Sequence, residues 1–182
     1  MAAPVNGWLR RPHAFEYNTD CLELGTIDSP EWKIPNWEWA HVVRAGTARA
    51  GLWRSHGYEA DYAFAFCDGH GAPLSGVHQY VIHFEPTPPV DAFWSLTMYD
   101  ATNFYLVENP LNRYSIGDRT PGVRYNEDGS LDLYLQPASP GAEQEANWLP
   151  TPAGVFLPIM RMYQPQAAVL DCRYVLPPIT CL

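Results

Sequence analysis

Lysine is nearly absent from this chain. Lys33 stands alone beside ten arginines and 20 acids, for a formal charge of −9 over 182 residues. A shortage of base argues against nucleic acid and against anionic membrane surfaces as partners, because both need a basic face. Charged residues reach only 17%, below the usual quarter. No apolar run attains the ~18 residues of a membrane-spanning helix. The opening MAAPVNGWLRRPHAFEYN has no apolar h-region, so no signal peptide is expected and the chain reads as cytoplasmic. Cys21, Cys67, Cys172 and Cys181 include no CxxC pair. A structural zinc site is therefore not expected, and the thiols are read as unpaired rather than as two disulfides. GxGxxG, Walker, GxSxG, HxH and HExxH motifs are all missing. Nucleotide cofactors and serine-hydrolase chemistry are disfavoured, and neither cofactor nor metal is expected.

Rings and turn residues are plentiful instead. Aromatics make up 14% of the chain, and there are 18 prolines and 13 glycines. So much proline and glycine limits long helices and favours short strands joined by turns. So many rings with so little charge suggest burial in a pocket or an oligomer interface as well as in a core. A small apolar molecule and a second copy of the chain are thus the expected partners.

Residues 1–35 show little periodicity and read as an arm packed on the body, with Trp8, Phe15, Tyr17, Leu22, Leu24 and Ile27 as anchors. Residues 36–182 read as one domain. Its leading helix, about 37–53, carries Trp39, Val42, Val43, Gly46, Ala50 and Trp53 as one stripe, with Asn36 as a cap and Glu38 in the first turn. Gly46 and Ala50 in that stripe imply a close neighbour. From Tyr58 the period becomes two. Strands are expected in YEADYAFAFC, HQYVIHFE, VDAFWSLTMYD, LDLYLQ, FLPIMRMY and RYVL, with weaker ones at 104–107 and 123–125 and a helical turn in PQAAVL. The first two read as a hairpin about DGHGAPLSG, and Pro158 places FLPIMRMY toward an edge. Strands at this spacing indicate a mainly antiparallel β-sandwich.

The segments FWSLTMYD, NPLNRYSIGDRTPGVRYNEDGSLDLYLQ, NWLPTPAGVFLPIMRMYQP and VLPP resemble the domain of unknown function 1214. The resemblance covers roughly residues 45–178. It implies a jelly-roll-like β-sandwich and no established activity. It also implies a stand-alone bacterial version, without the domain of unknown function 1254 that usually precedes this one.

The sharpest candidate site is catalytic: Glu59 and Asp61 on a strand face with Ala63 and Ala65, opposite His83 if the hairpin pairs about residue 72. A carboxylate orienting an imidazole is a general acid/base pair; the plainer alternative is a solvated strand face. Arg113 and Tyr114 in NRYSIGDRT suit an anion or a carbonyl, or a loop locked by an Arg113–Asp118 ion pair. Asn147 and Trp148 end a long loop, where Trp148 either covers a pocket or plugs the sandwich. Arg161 in an apolar strand is expected to be partly buried against a carboxylate, or else to face a ligand, with Tyr99 lining the same opening. These residues favour a cofactor-free lyase, isomerase or hydrolase acting on a small apolar or aromatic molecule. The alternatives are a structural or assembly domain and a lectin-like binding module.

Overall fold

The computed structural model of the chain describes residues 3–10, 12, 37–50 and 55–182. Two sheets face each other. Strands β1 (Trp8–Arg10), β2 (Ala60–Ala65), β4 (Val90–Asp100), β5 (Ser115–Gly117) and β8 (Phe156–Pro165) form the larger one, in the order β1-β2-β8-β4-β5. Strands β3 (Tyr80–Phe84), β6 (Leu131–Gln136), β7 (Trp148–Pro150) and β9 (Ile179–Cys181) form the smaller, in the order β7-β6-β3-β9. Only β6 and β7 pair in parallel. The chain is therefore the mainly β sandwich expected from its strand spacing.

Alternation builds the core. Ala63, Ala65, Trp94, Leu96, Met98, Met160 and Met162 point inward from the larger sheet. Tyr80, Ile82, Phe84, Leu131, Leu133 and Leu135 meet them from the smaller. Phe84 and Trp94 span the gap with ring centroids 5.6 Å apart. Fully burying each such side chain contributes roughly 1.5–3 kcal/mol.

The leading helix, α1, spans Trp37–Ala50, with Glu38 in its first turn and Arg49 in its last, charges that suit the helix dipole. Among the described residues, the expected close neighbour at Gly46 is not there. Gly46 is exposed with open space where a Cβ would sit, and Val42 is 59% exposed. The apolar stripe therefore does not continue through these two positions as a packing face. Asn36 and Trp53 lie outside the described residues, as do Phe15, Tyr17, Leu22, Leu24 and Ile27 of the arm. Of the arm's anchors, Trp8 is described: it is buried in β1 and its indole N–H donates to Pro177 O at 2.7 Å.

Four strand expectations are corrected, the simplest at the C-terminus, where RYVL forms no strand and the closing strand is β9 at Ile179–Cys181. The hairpin does not form, because β2 pairs with β1 and β8 whereas β3 pairs with β6 and β9. Alternation specifies which face is buried, not which strand lies alongside. The intervening DGHGAPLSG does turn, through an Asp68 carboxylate that accepts the His70 and Ala72 amides. It then carries Leu74 into the core and crosses to the other sheet. Strand β8 is central rather than an edge. Its ladder with β2 stops at Ile159, beside Pro158, which is where a residue without an N–H is tolerated. The weak strands at 104–107 and 123–125 are absent, apart from one bridge between Leu106 and Tyr99. After β4, Asp100 accepts the Thr102 and Asn103 amides and turns the chain. At 123–125, the Asn147 side chain takes up both the N–H and the carbonyl of Arg124, replacing a neighbouring strand.

Helix α2 (Ala167–Leu170) is the single turn expected in PQAAVL. No helix among the described residues is long and apolar enough to cross a membrane. The three described cysteines, Cys67, Cys172 and Cys181, are free thiols.

Candidate functional site

The acid/base set expected from the sequence is spread over three places. Asp61 points inward from β2 and is 2% exposed. It forms an ion pair with Arg10 of β1, whose guanidinium also donates to the carbonyls of Val169 and Tyr174. A buried carboxylate needs such a partner, and this one ties the N-terminal strand, β2 and the α2 region together. His83 points outward from the opposite sheet, so the expected Asp61–His83 contact is absent. The register across from His83 belongs to Asp132, and His83 Nδ1 meets Asp132 Oδ1 at 2.7 Å. That hydrogen bond is the main cause raising the imidazole pKa above its ordinary 6.5, while partial burial opposes it. Asn126 holds the other carboxylate oxygen of Asp132 at 2.9 Å. Glu59 precedes β2, does not share a face with Asp61 and is exposed, accepting the His56 amide at 3.1 Å.

Four further candidates act within the fold. Arg113 makes no pair with Asp118. Its Nη1 donates to Glu145 O at 2.7 Å and Trp148 O at 2.8 Å, pinning the long loop where it enters β7. Asp118 accepts the Trp94 amide instead. Asn147 is buried and bridges Arg124 to the Asp132 carbonyl. Trp148 is 4% exposed and donates to Gln136 O at 2.8 Å, which makes it a plug of the sandwich rather than a cover over a pocket. The Tyr114 hydroxyl reaches Asn112 at 3.4 Å on the surface.

The outer face of the larger sheet gathers the rest. Its register sets three cross-strand rows side by side: Ala60, Tyr163 and Phe93; Tyr62, Arg161 and Ser95; Phe64, Ile159 and Thr97. Ile159 and Thr97 are each 9% exposed, so the face is closed at that end and opens toward Tyr163 and Phe93, both half-buried. The rings of Phe93 and Tyr163 stack at 4.3 Å, and the Arg119 guanidinium lies 4.4 Å from the Phe93 centroid. A surface pocket of about 460 Å³ lies here, walled by Tyr58, Glu59, Phe93, Tyr163 and Gln164. Arg161 is half-buried, as expected, and no carboxylate among the described residues pairs with it. Among the described residues its hydrogen bond runs to the Tyr99 hydroxyl at 2.9 Å, with the Tyr99 and Tyr62 rings 5.6 and 5.9 Å away. Rings cover the flanks of this cation in place of an acid.

Glu59, Tyr99 and Arg161 are thus the expected site residues that reach this face, and only Glu59 lines its pocket. Sequence reading missed Tyr163 and Gln164. The signal for Tyr163 was its spacing of two from Arg161, which puts both on one face. Among the described residues, no group of three His, Cys, Asp or Glu is placed to hold a metal ion.

Residues 59–167 match the family described as "Protein of unknown function (DUF1214)", and the chain belongs to it. Among solved structures, the VPA0106 protein from Vibrio parahaemolyticus is 34% identical over 77% of this chain, with a TM-score of 0.68. An uncharacterised protein from Burkholderia cenocepacia is 18% identical over 68% of it, with a TM-score of 0.47. The match spans 35% and 29% of those two chains respectively, so both are much longer proteins. No curated protein matches.

Proposed function

We propose that the chain is a small-molecule-binding module whose site is the outer face of the larger sheet, around Tyr163 and Phe93. One observation carries the reading: a pocket of about 460 Å³ in which stacked rings meet a carboxylate and an amide, Glu59 and Gln164. Mostly apolar walls with a few convergent polar groups are what a small-ligand site needs. A cofactor-free acid/base enzyme remains the alternative for the same pocket, with Glu59 as its acid. It is less well supported, because the Asp61–His83 pair that motivated it is not formed.

The test uses phenylacetamide, a neutral ring compound, titrated against the protein and followed by NMR. Saturable binding that Tyr163→Ala weakens by about tenfold or more, with an unchanged circular dichroism spectrum, supports the module. Equal binding by parent and variant overturns it.

A second reading, an assembly domain, has its own observation. Phe104, Tyr105 and Leu106 sit 58%, 74% and 50% exposed on one turn. Consecutive exposed large apolar side chains suit a protein contact. A homo-oligomer made through this turn would dissociate in a Tyr105→Ser, Leu106→Ser variant, read by size-exclusion chromatography with light scattering.

A further inference from the structure

We infer that the ligand class of this face is an aromatic carboxylate, with its ring on Tyr163 and its anionic group on Arg161. The inference rests on the binding reading above and adds a charge and an orientation to it.

The geometry begins with spacing along β8. Tyr163 and Arg161 are two residues apart on one strand, so they project from the same face about 7 Å apart. One flat ligand can therefore cover both. Arg161 carries five N–H donors in a planar fork. Among the described residues one nitrogen is committed, to the Tyr99 hydroxyl. The remaining edge of the fork makes no hydrogen bond to the described residues, and its nitrogens are not buried unbonded groups. The fork is thus positioned by a neutral phenol rather than an acid, and the half-buried side chain keeps part of its surface in water. A carboxylate is the anion whose two oxygens match that fork.

The surroundings add a direction. Glu59 and Gln164 stand together, with the backbone N–H of Gln164 donating to the backbone carbonyl of Glu59 at 2.8 Å. Gln164 lies three residues beyond Arg161, so the acid and the base mark opposite ends of a strip about 10 Å long. An anionic ligand placed with its charge at Glu59 would be repelled. Placed with its charge at Arg161, it leaves its ring over Tyr163 and its far edge toward Glu59 and Gln164. The protein's charge of −9 sharpens this choice, since it disfavours anions except beside a cation such as Arg161, which has no acid paired with it among the described residues. Neighbouring Ser95 occupies the same cross-strand row as Arg161 and offers a hydroxyl to the second carboxylate oxygen.

The test compares two probes of nearly equal shape, phenylacetate and phenylacetamide, by NMR titration at pH 7 and fixed ionic strength. In the parent, phenylacetate should bind about tenfold tighter, and it should shift the Arg161 side-chain Nε–Hε resonance, which phenylacetamide should leave in place. Arg161→Met should abolish the preference for the anion, bringing phenylacetate to the affinity of phenylacetamide; Arg161→Lys should retain part of it. Equal affinities in the parent, a preference that survives in Arg161→Met, or an unmoved Arg161 resonance under saturating phenylacetate would overturn the inference while leaving a neutral-ring site intact. Failure of both probes to bind would instead remove the binding reading itself. The Nε–Hε measurement needs no variant, so the inference stays testable if Arg161→Met does not fold.

Discussion

Two of the three acid/base candidates ended in charge pairs on opposite sheets, and the pairs could hardly differ more. Asp61 and Arg10 keep 2% and 12% of their side-chain surface in water. His83 and Asp132 keep 50% and 25%. The chemistry is the same, an acid beside a base, but water decides what each pair is for. In the buried pair, removing either charge leaves the other without its opposite charge in a medium that solvates it poorly, so the pair behaves as a fastener. In the exposed pair water stands ready to replace either partner, so the bond shifts a proton equilibrium more than it holds the fold. Arg161 is intermediate: half-buried like a fastener, yet held by a phenol, which leaves its charge uncancelled.

The comparison can be broken most forcefully at Arg10. Arg10→Met keeps the volume but removes the positive charge paired with the buried Asp61 carboxylate, and should lower stability by about 3–5 kcal/mol in urea unfolding. Adding Asp61→Asn should restore part of that loss. An Arg10→Met variant as stable as the parent would mean that Asp61 is satisfied elsewhere and the pair is no fastener.

Arg113 supplies a middle case, a charge satisfied by carbonyls. Arg113→Met removes the bonds to Glu145 O and Trp148 O and should cost about 1.5–3 kcal/mol. Amide exchange should accelerate at residues 145–150, while β4 and β8 stay protected. Uniform acceleration across both sheets would contradict a local role.

The smallest effect is expected at His83. Its folded pKa is raised above 6.5, so protonated His83 favours the folded state. The contribution is fully present below pH 6.5 and is lost as pH rises through the folded value. His83→Gln should therefore lower stability by under about 1 kcal/mol at pH 5.5 and leave it nearly unchanged at pH 8. Equal losses at both pH values would show a packing role rather than a titrating one.

The sequence made the elements legible and left their neighbours hidden. Strands β4 and β6 lie where alternation in VDAFWSLTMYD and LDLYLQ puts them, because one buried face leaves its mark at every second residue. Nothing in that mark says that β2 lies beside β8 rather than β3. A hairpin is the local guess, whereas the β2–β8 pairing joins residues about a hundred positions apart. The site failed at the same point. Asp61 and His83 were each recognised as unusual polar groups in apolar strands, but their meeting depended entirely on the unformed hairpin. Arg161 was recognised as half-buried from its flanking methionines. That its partner would be Tyr99 was not legible, since Tyr99 stands across from Leu157 in the register and only the length of the arginine side chain brings them together. Strands β5 and β7 have three residues each, too short for a period to show.

The most direct test is a crystal structure of the protein soaked with phenylacetate. The account predicts the ring against Tyr163 and the carboxylate on the Arg161 guanidinium, with the Arg10–Asp61 pair undisturbed. A ligand seated at His83 and Asp132, or one reaching Asp61 through a displaced Arg10, would contradict it.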